Sequence, residues 1–115
     1  MRQSFTAVLE RNSTFTGSFN TEPYEVAWAG EARWFVRTLD IAVGTTASFT
    51  VQVSPDGLRW CDIGDDARRV DEAGVVSWKT SEFGGWLRLR GDVNSDDASG
   101  AAPSIKVLIY LALKE

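Results

Sequence analysis

The chain has 115 residues, 43% of them hydrophobic and 24% charged, with 12 Lys and Arg against 16 Asp and Glu for a net charge of −4. One cysteine and no histidine exclude an intrachain disulfide, zinc sites built on imidazole and His-based catalytic triads. The acidic balance supplies no field for nucleic acid or anionic lipid, and no apolar run approaches the roughly 18 residues of a membrane helix.

A chain of this size buries about two-thirds of its unfolded surface, enough for one core without covalent staples, so residues 1–115 are expected to form a single domain. The start, Met1-Arg2-Gln3-Ser4-Phe5-Thr6, leads straight into alternating sequence and is not expected to be a secretory leader. Alternation with period two marks a strand over residues 5–10. Residues 11–20 then mix Asn, Ser, Thr and Gly with isolated Phe15 and Phe19, so residues 1–33 read as either an edge strand or an N-terminal arm. Further strands are predicted at 24–28 and 34–43, both rich in aromatic and β-branched residues.

The clearest alternation follows, with Ala47, Phe49, Val51 and Val53 on one face and Ser48, Thr50 and Gln52 on the other. It ends at Ser54-Pro55-Asp56-Gly57, where Pro presets φ, Asp can bond the backbone and Gly permits positive φ. That turn predicts a hairpin returning over 58–63, with Trp60 sealing the end of the core and Cys61 acting as a small core hydrophobe. Strands at 75–79 and 86–90 come next; in the second, Trp86, Arg88 and Arg90 share one face and Leu87 and Leu89 the other. The last strand, 105–113, puts Ile105, Val107, Ile109, Leu111 and Leu113 on one side. The expected fold is all-β, an antiparallel jelly-roll-like sandwich of about eight short strands.

Chemistry-bearing motifs are sparse. Asp92-Val93-Asn94-Ser95-Asp96-Asp97 imitates the opening of a calcium loop, but its sixth place is Asp97 instead of Gly and its twelfth is Pro103 instead of Glu, so no metal is expected. The acids Asp62, Asp65, Asp66, Asp71 and Glu72 read as a solvated surface. Arg90-Gly91-Asp92 and Asn12-Ser13-Thr14 spell an adhesion tripeptide and a glycosylation acceptor, patterns that three residues produce by chance. No pair of carboxylates stands out for glycosidic chemistry, so neither enzyme activity nor a cofactor is expected.

From Leu39-Asp40-Ile41 through Gly44-Thr45, the strand over Phe49, Val51 and Val53, Ser54-Pro55-Asp56-Gly57-Leu58-Arg59-Trp60, Gly84 to Arg90 and the closing Leu111-Ala112-Leu113-Lys114, the chain resembles small β-sandwich proteins of tailed bacteriophages and prophages. The resemblance covers roughly residues 34–114, and its Ser-x-Asp-Gly-x-x-Trp hairpin is shared with discoidin-type carbohydrate- or lipid-binding sandwiches. It implies a non-enzymatic virion component made in the host cytoplasm: a capsid decoration or cement protein, or a minor tail protein. The implied partner is a major capsid or other virion protein, with homo-oligomers open and neither nucleic acid nor membrane involved. A carbohydrate-binding module recognising host glycans on exposed Trp or Tyr is the reading from a different class.

Candidate partner-binding residues are Trp86, Arg88, Leu108 and Tyr110, because Trp and Arg favour interface centres and because Leu108 and Tyr110 interrupt Lys106 and Lys114 on the outer face of the last strand. Either a partner covers that apolar area or the segment carrying Phe15 and Phe19 does. Ser54, Asp56, Gly57 and Trp60 are assigned to the turn and core.

Overall fold

The computed structural model describes residues 3–63, 67–95 and 102–115. Among these there is no helix, and ten strands run β1 (Ser4–Phe15), β2 (Phe19–Asn20), β3 (Tyr24–Glu25), β4 (Glu31–Ile41), β5 (Thr45–Ser54), β6 (Cys61–Asp62), β7 (Arg68–Val70), β8 (Gly74–Thr80), β9 (Trp86–Ser95) and β10 (Ile105–Lys114). Every pairing is antiparallel. A front sheet has the order β1-β10-β4-β8; a back sheet has β9 and β5 at its centre, with β2 and β3 beside β9, and β6 and β7 beside β5. If β2 with β3 and β6 with β7 each count as one interrupted strand, the eight positions fall in the sheet orders 1-8-3-6 and 2-7-4-5. That is a jelly roll, as the alternating pattern predicted.

Period-two patterning places the core between the sheets. Trp34, Val36, Ile109 and Leu111 face inward from the front, and Phe49, Leu87 and Leu89 from the back, each at most 1% exposed. Trp34 is fully buried, and its indole N–H donates to Thr80 Oγ1 at 3.0 Å, which meets the one polar demand of that ring.

The irregular N-terminal stretch is an edge strand. β1 stays paired to β10 as far as Phe15, through register shifts between Val8 and Glu10 and between Glu10 and Ser13, the second containing Asn12, whose φ is +54°. The Phe15 and Phe19 rings then stack, with centroids 3.6 Å apart, and Phe19 meets core Phe49 edge-on at 6.1 Å. Gly91 lies directly beneath the Phe19 ring, where a Cβ has no room. Phe15 and Phe19 thus close one end of the core and do not reach over the outer face of β10.

The predicted return strand at 58–63 contracts to β6. Asp56 Oδ1 accepts from the backbone N–H of Leu58 at 2.8 Å and of Arg59 at 3.0 Å, so these amides serve the turn instead of a ladder. Leu58 is left 80% exposed. Two expectations change with it. Trp60 is absent from the core cluster and lies under the Arg88 guanidinium on the outside of the back sheet, and Cys61, although paired with inward-phase Val53, stands exposed on the two-residue edge strand β6.

Candidate functional site

On the outside of the back sheet, β5 brings Gln52 opposite Arg88 of β9 on one side and opposite Asp62 of β6 on the other. The row is hydrogen-bonded across three strands: Arg88 Nε donates to Gln52 Oε1 at 2.7 Å, and Gln52 Nε2 donates to Asp62 Oδ1 at 2.9 Å. The Arg88 guanidinium lies over the Trp60 ring, 4.2 Å from its centroid, a close cation–π contact. This cover explains why Gln52, on the outward phase of its strand, is only 6% exposed. Burial, with the Arg90 charge adding to it, pulls the Arg88 guanidinium below its ordinary pKa.

The turn completes that end of the face. Ser54 is fully buried, and its Oγ accepts from Gly57 N–H at 2.9 Å while donating to Asp56 Oδ1 at 3.0 Å. The backbone amides of Arg59 and Leu58, then the Ser54 hydroxyl, hold the Asp56 carboxyl below its usual range. Gly57 has φ of +79°, and a Cβ there would meet the Trp86 ring at 3.3 Å, so Trp86 lies across the turn.

The outside of the front sheet has the opposite chemistry. Register aligns Val8, Tyr110, Phe35 and Ser77 in one row across β1, β10, β4 and β8, and Leu108, Arg37 and Val75 in the next. Val8 is 42% and Val75 62% exposed, while Tyr110, Phe35 and Leu108 are half-buried. Exposed Arg33, Lys79, Lys106 and Lys114 flank this apolar band on β4, β8 and β10, with Asp40 opposite Lys106 and Glu31 opposite Lys114, and exposed Arg37 sits within it. A shallow recess of about 330 Å³ opens beside Phe35, among Arg33, Lys79 and Lys114.

The four candidate partner-binding residues therefore divide. Leu108 and Tyr110 stand on the front face and Trp86 and Arg88 on the back, with the core between, and no single flat partner touches all four. Val8, Phe35 and Val75 were missed in the sequence because cross-strand register, which alone lines them up with Tyr110 and Leu108, is not written in any one strand. Asp92 accepts from Ser18 Oγ at 2.7 Å and faces Arg90 at 3.5 Å; the rest of the calcium-like loop, 96–101, lies outside the described residues, as do Asp65 and Asp66. Among the described residues no group of three acidic or Cys ligands could hold a metal.

No family model and no curated protein matches the chain. Solved structures match by fold. The chain superposes on PBSX exported protein XepA with a TM-score of 0.69 at 9% identity, covering 95% of this chain and 36% of that one. It superposes on the infectious bursal disease virus VP2 subviral particle with 0.67 at 9% identity, covering 98% and 32%. SPBc2 prophage-derived protein YomS gives 0.54 at 7% identity, with 100% and 96% covered. The chain thus spans about a third of the length of the first two and nearly all of the third. Its structural neighbours include phage-derived and viral proteins; at these identities the likeness establishes the β-sandwich fold.

Proposed function

We propose that the protein is a non-enzymatic structural component of a tailed-phage particle, with capsid decoration as its role, and that the outer face of the front sheet is its docking surface. The observation that carries this reading is the apolar band of Val8, Tyr110, Phe35, Leu108 and Val75, which crosses all four strands without a cover among the described residues. The Phe15 and Phe19 segment, the internal cover that the sequence suggested, is committed to the end of the core. Five cations around the band, in a chain of net charge −4, select an acidic protein surface as the counterpart and set its orientation. The sandwich shared with XepA, YomS and VP2 supports the reading at the level of architecture. On a many-copy shell, modest individual contacts add through avidity.

The test is loading onto purified particles that lack the protein. Tyr110→Glu is expected to stay folded and to lose recruitment, since it buries an uncompensated charge against the partner, and wild-type loading should weaken as salt rises. Full occupancy by folded Tyr110→Glu would refute the docking face. Imaging the loaded particles separates decoration of the head from a place in the tail.

One observation favours a carbohydrate-binding reading as the second choice. At the open seam between β1 and β3, Phe5 is 50% exposed and its ring lies 6.2 Å from Tyr24, in a groove of about 480 Å³ that Trp28, Glu25 and Gln3 also line. Aromatic faces beside polar groups suit a saccharide. Glycan-array binding that Trp28→Ala abolishes, together with no recruitment to particles, would put this reading first.

A further inference from the structure

The back sheet carries a pocket on the opposite side of the sandwich from the apolar band of the front sheet. Arg88 and Arg90 project from alternate positions of β9 to the same side, and beside them the Ser18–Asn20 segment forms the edge of the sheet, with Asn20 opposite Arg90. Between them opens a pocket of about 180 Å³ lined by Ser18, Phe19, Asn20, Arg88 and Arg90. We propose that this pocket binds one oxyanion group of a small ligand, either a free inorganic oxyanion or the carboxylate of an acidic sugar.

The argument begins with what holds Arg88. Its Nε is spent on the neutral Gln52 amide oxygen and one face of its guanidinium on Trp60, so the side chain is fixed before any ligand arrives. Its two terminal nitrogens have no hydrogen-bond or carboxylate partner among the described residues, although the chain carries 16 acids to supply one. A half-buried guanidinium left beside a second one is destabilised by both desolvation and repulsion. A bound anion relieves both costs at once and can be gripped by two parallel N–H donors.

Arg90 completes the pair. It is half-exposed, and its 3.5 Å approach to Asp92 is long for an ion pair, while Asp92 Oδ1 already accepts from Ser18. Most of the Arg90 donors are free to turn into the pocket. The Asn20 amide and Ser18 hydroxyl add neutral donors and acceptors at the rim. At about 30 Å³ per water, the space suits a group of a few heavy atoms and not a folded peptide.

The experiment is a titration of the intact chain followed by the ¹⁵N resonances of the arginine Nε–H groups, using inorganic phosphate and glucuronate as probes and chloride and glucose at matched ionic strength as controls. Saturable shifts at Arg88 and Arg90 with phosphate alone assign a free inorganic oxyanion; tighter binding of glucuronate assigns the acidic sugar. Arg90→Gln, which leaves the Arg88–Gln52–Asp62 row untouched, should weaken binding by about tenfold or more, as should Arg88→Gln, by loss of a charge-assisted hydrogen bond. Asp92→Asn should tighten it, since it removes the one carboxylate that competes for Arg90 and keeps an acceptor for Ser18. No saturation with either probe, equal shifts with glucose, or wild-type affinity in Arg90→Gln would overturn the site.

Discussion

The two outer faces of this sandwich are built from the same pleat and use their polar atoms in opposite ways. On the back, Arg88, Gln52 and Asp62 bond one another across three strands, and Trp60 and Trp86 are laid against a guanidinium and a turn. Arg88 Nε, the Gln52 amide and Asp62 Oδ1 are satisfied internally, and the remaining Arg88 and Arg90 donors stay open at one rim of that face. On the front, Val8, Tyr110, Phe35, Leu108 and Val75 lie in two adjacent rows with no cover among the described residues, and the surrounding cations are exposed. A row of side chains that consumes its own hydrogen bonds stabilises the fold; apolar area left open is shaped for something outside it.

The largest effect that breaks the comparison comes from the layer both faces share. Leu111 and Tyr110 are adjacent on β10 but point to opposite sides, Leu111 fully buried and Tyr110 half-exposed. Leu111→Asp is expected to abolish folding, because an unpaired carboxylate in the core costs several kcal/mol, while Tyr110→Glu shifts thermal stability little. Circular dichroism melts of the two variants decide it, and equal stability would show that β10 has been placed in the wrong phase.

A middle-sized effect separates the faces themselves. Gln52→Ala strips Arg88 and Asp62 of their shared partner and should cost about 1–3 kcal/mol. Ser77→Ala on the front removes only an exposed 3.0 Å bond from Arg33 and should stay within about 0.5 kcal/mol of wild type. Denaturant unfolding of both variants measures the difference, and a Gln52→Ala variant as stable as Ser77→Ala would mean that the back face is no better tied than the front.

How far the sequence could be read follows from where each piece of information resides. Strand phase is local, so the inward sets of β5 and β10 were legible residue by residue, and with them the sandwich. Gln52 was assigned outward correctly, yet its burial was invisible because the cover comes from Arg88 and Trp60 on other strands. Trp60 and Cys61 were assigned to the core and lie outside it for a different reason: the turn was recognised by its Ser, Pro, Asp and Gly, but nothing in that motif told that Asp56 would also take the amides of Leu58 and Arg59 and so delay the return strand, which leaves Trp60 on the outer face and Cys61 exposed at the edge. The front band needed register, and register emerges only when four strands from distant parts of the chain are laid side by side.

The smallest expected effect sharpens the same contrast at the rim of the back sheet, where Asp56 organises the turn beneath Trp86. Its carboxyl is held below the ordinary aspartate value of 3.8, first by the Arg59 amide, then by the Leu58 amide and the Ser54 hydroxyl. Since the folded-state pKa lies below the unfolded one, the ionised group's stabilisation is fully present above about pH 4 and disappears as the pH falls through the depressed folded value. A carboxyl ¹³C titration should find Asp56 below 3.8, and the stability advantage of wild type over Asp56→Ala should shrink on acidification through that range. The guanidinium of Arg59 sits 3.3 Å from the carboxylate, but it is 87% exposed, and water screens such a pair to near nothing. Arg59→Ala, which keeps the backbone amide and loses only the side chain, is therefore expected to leave the Asp56 titration almost where it was. A rise to the unperturbed value in that variant would transfer the effect from the backbone to the ion pair.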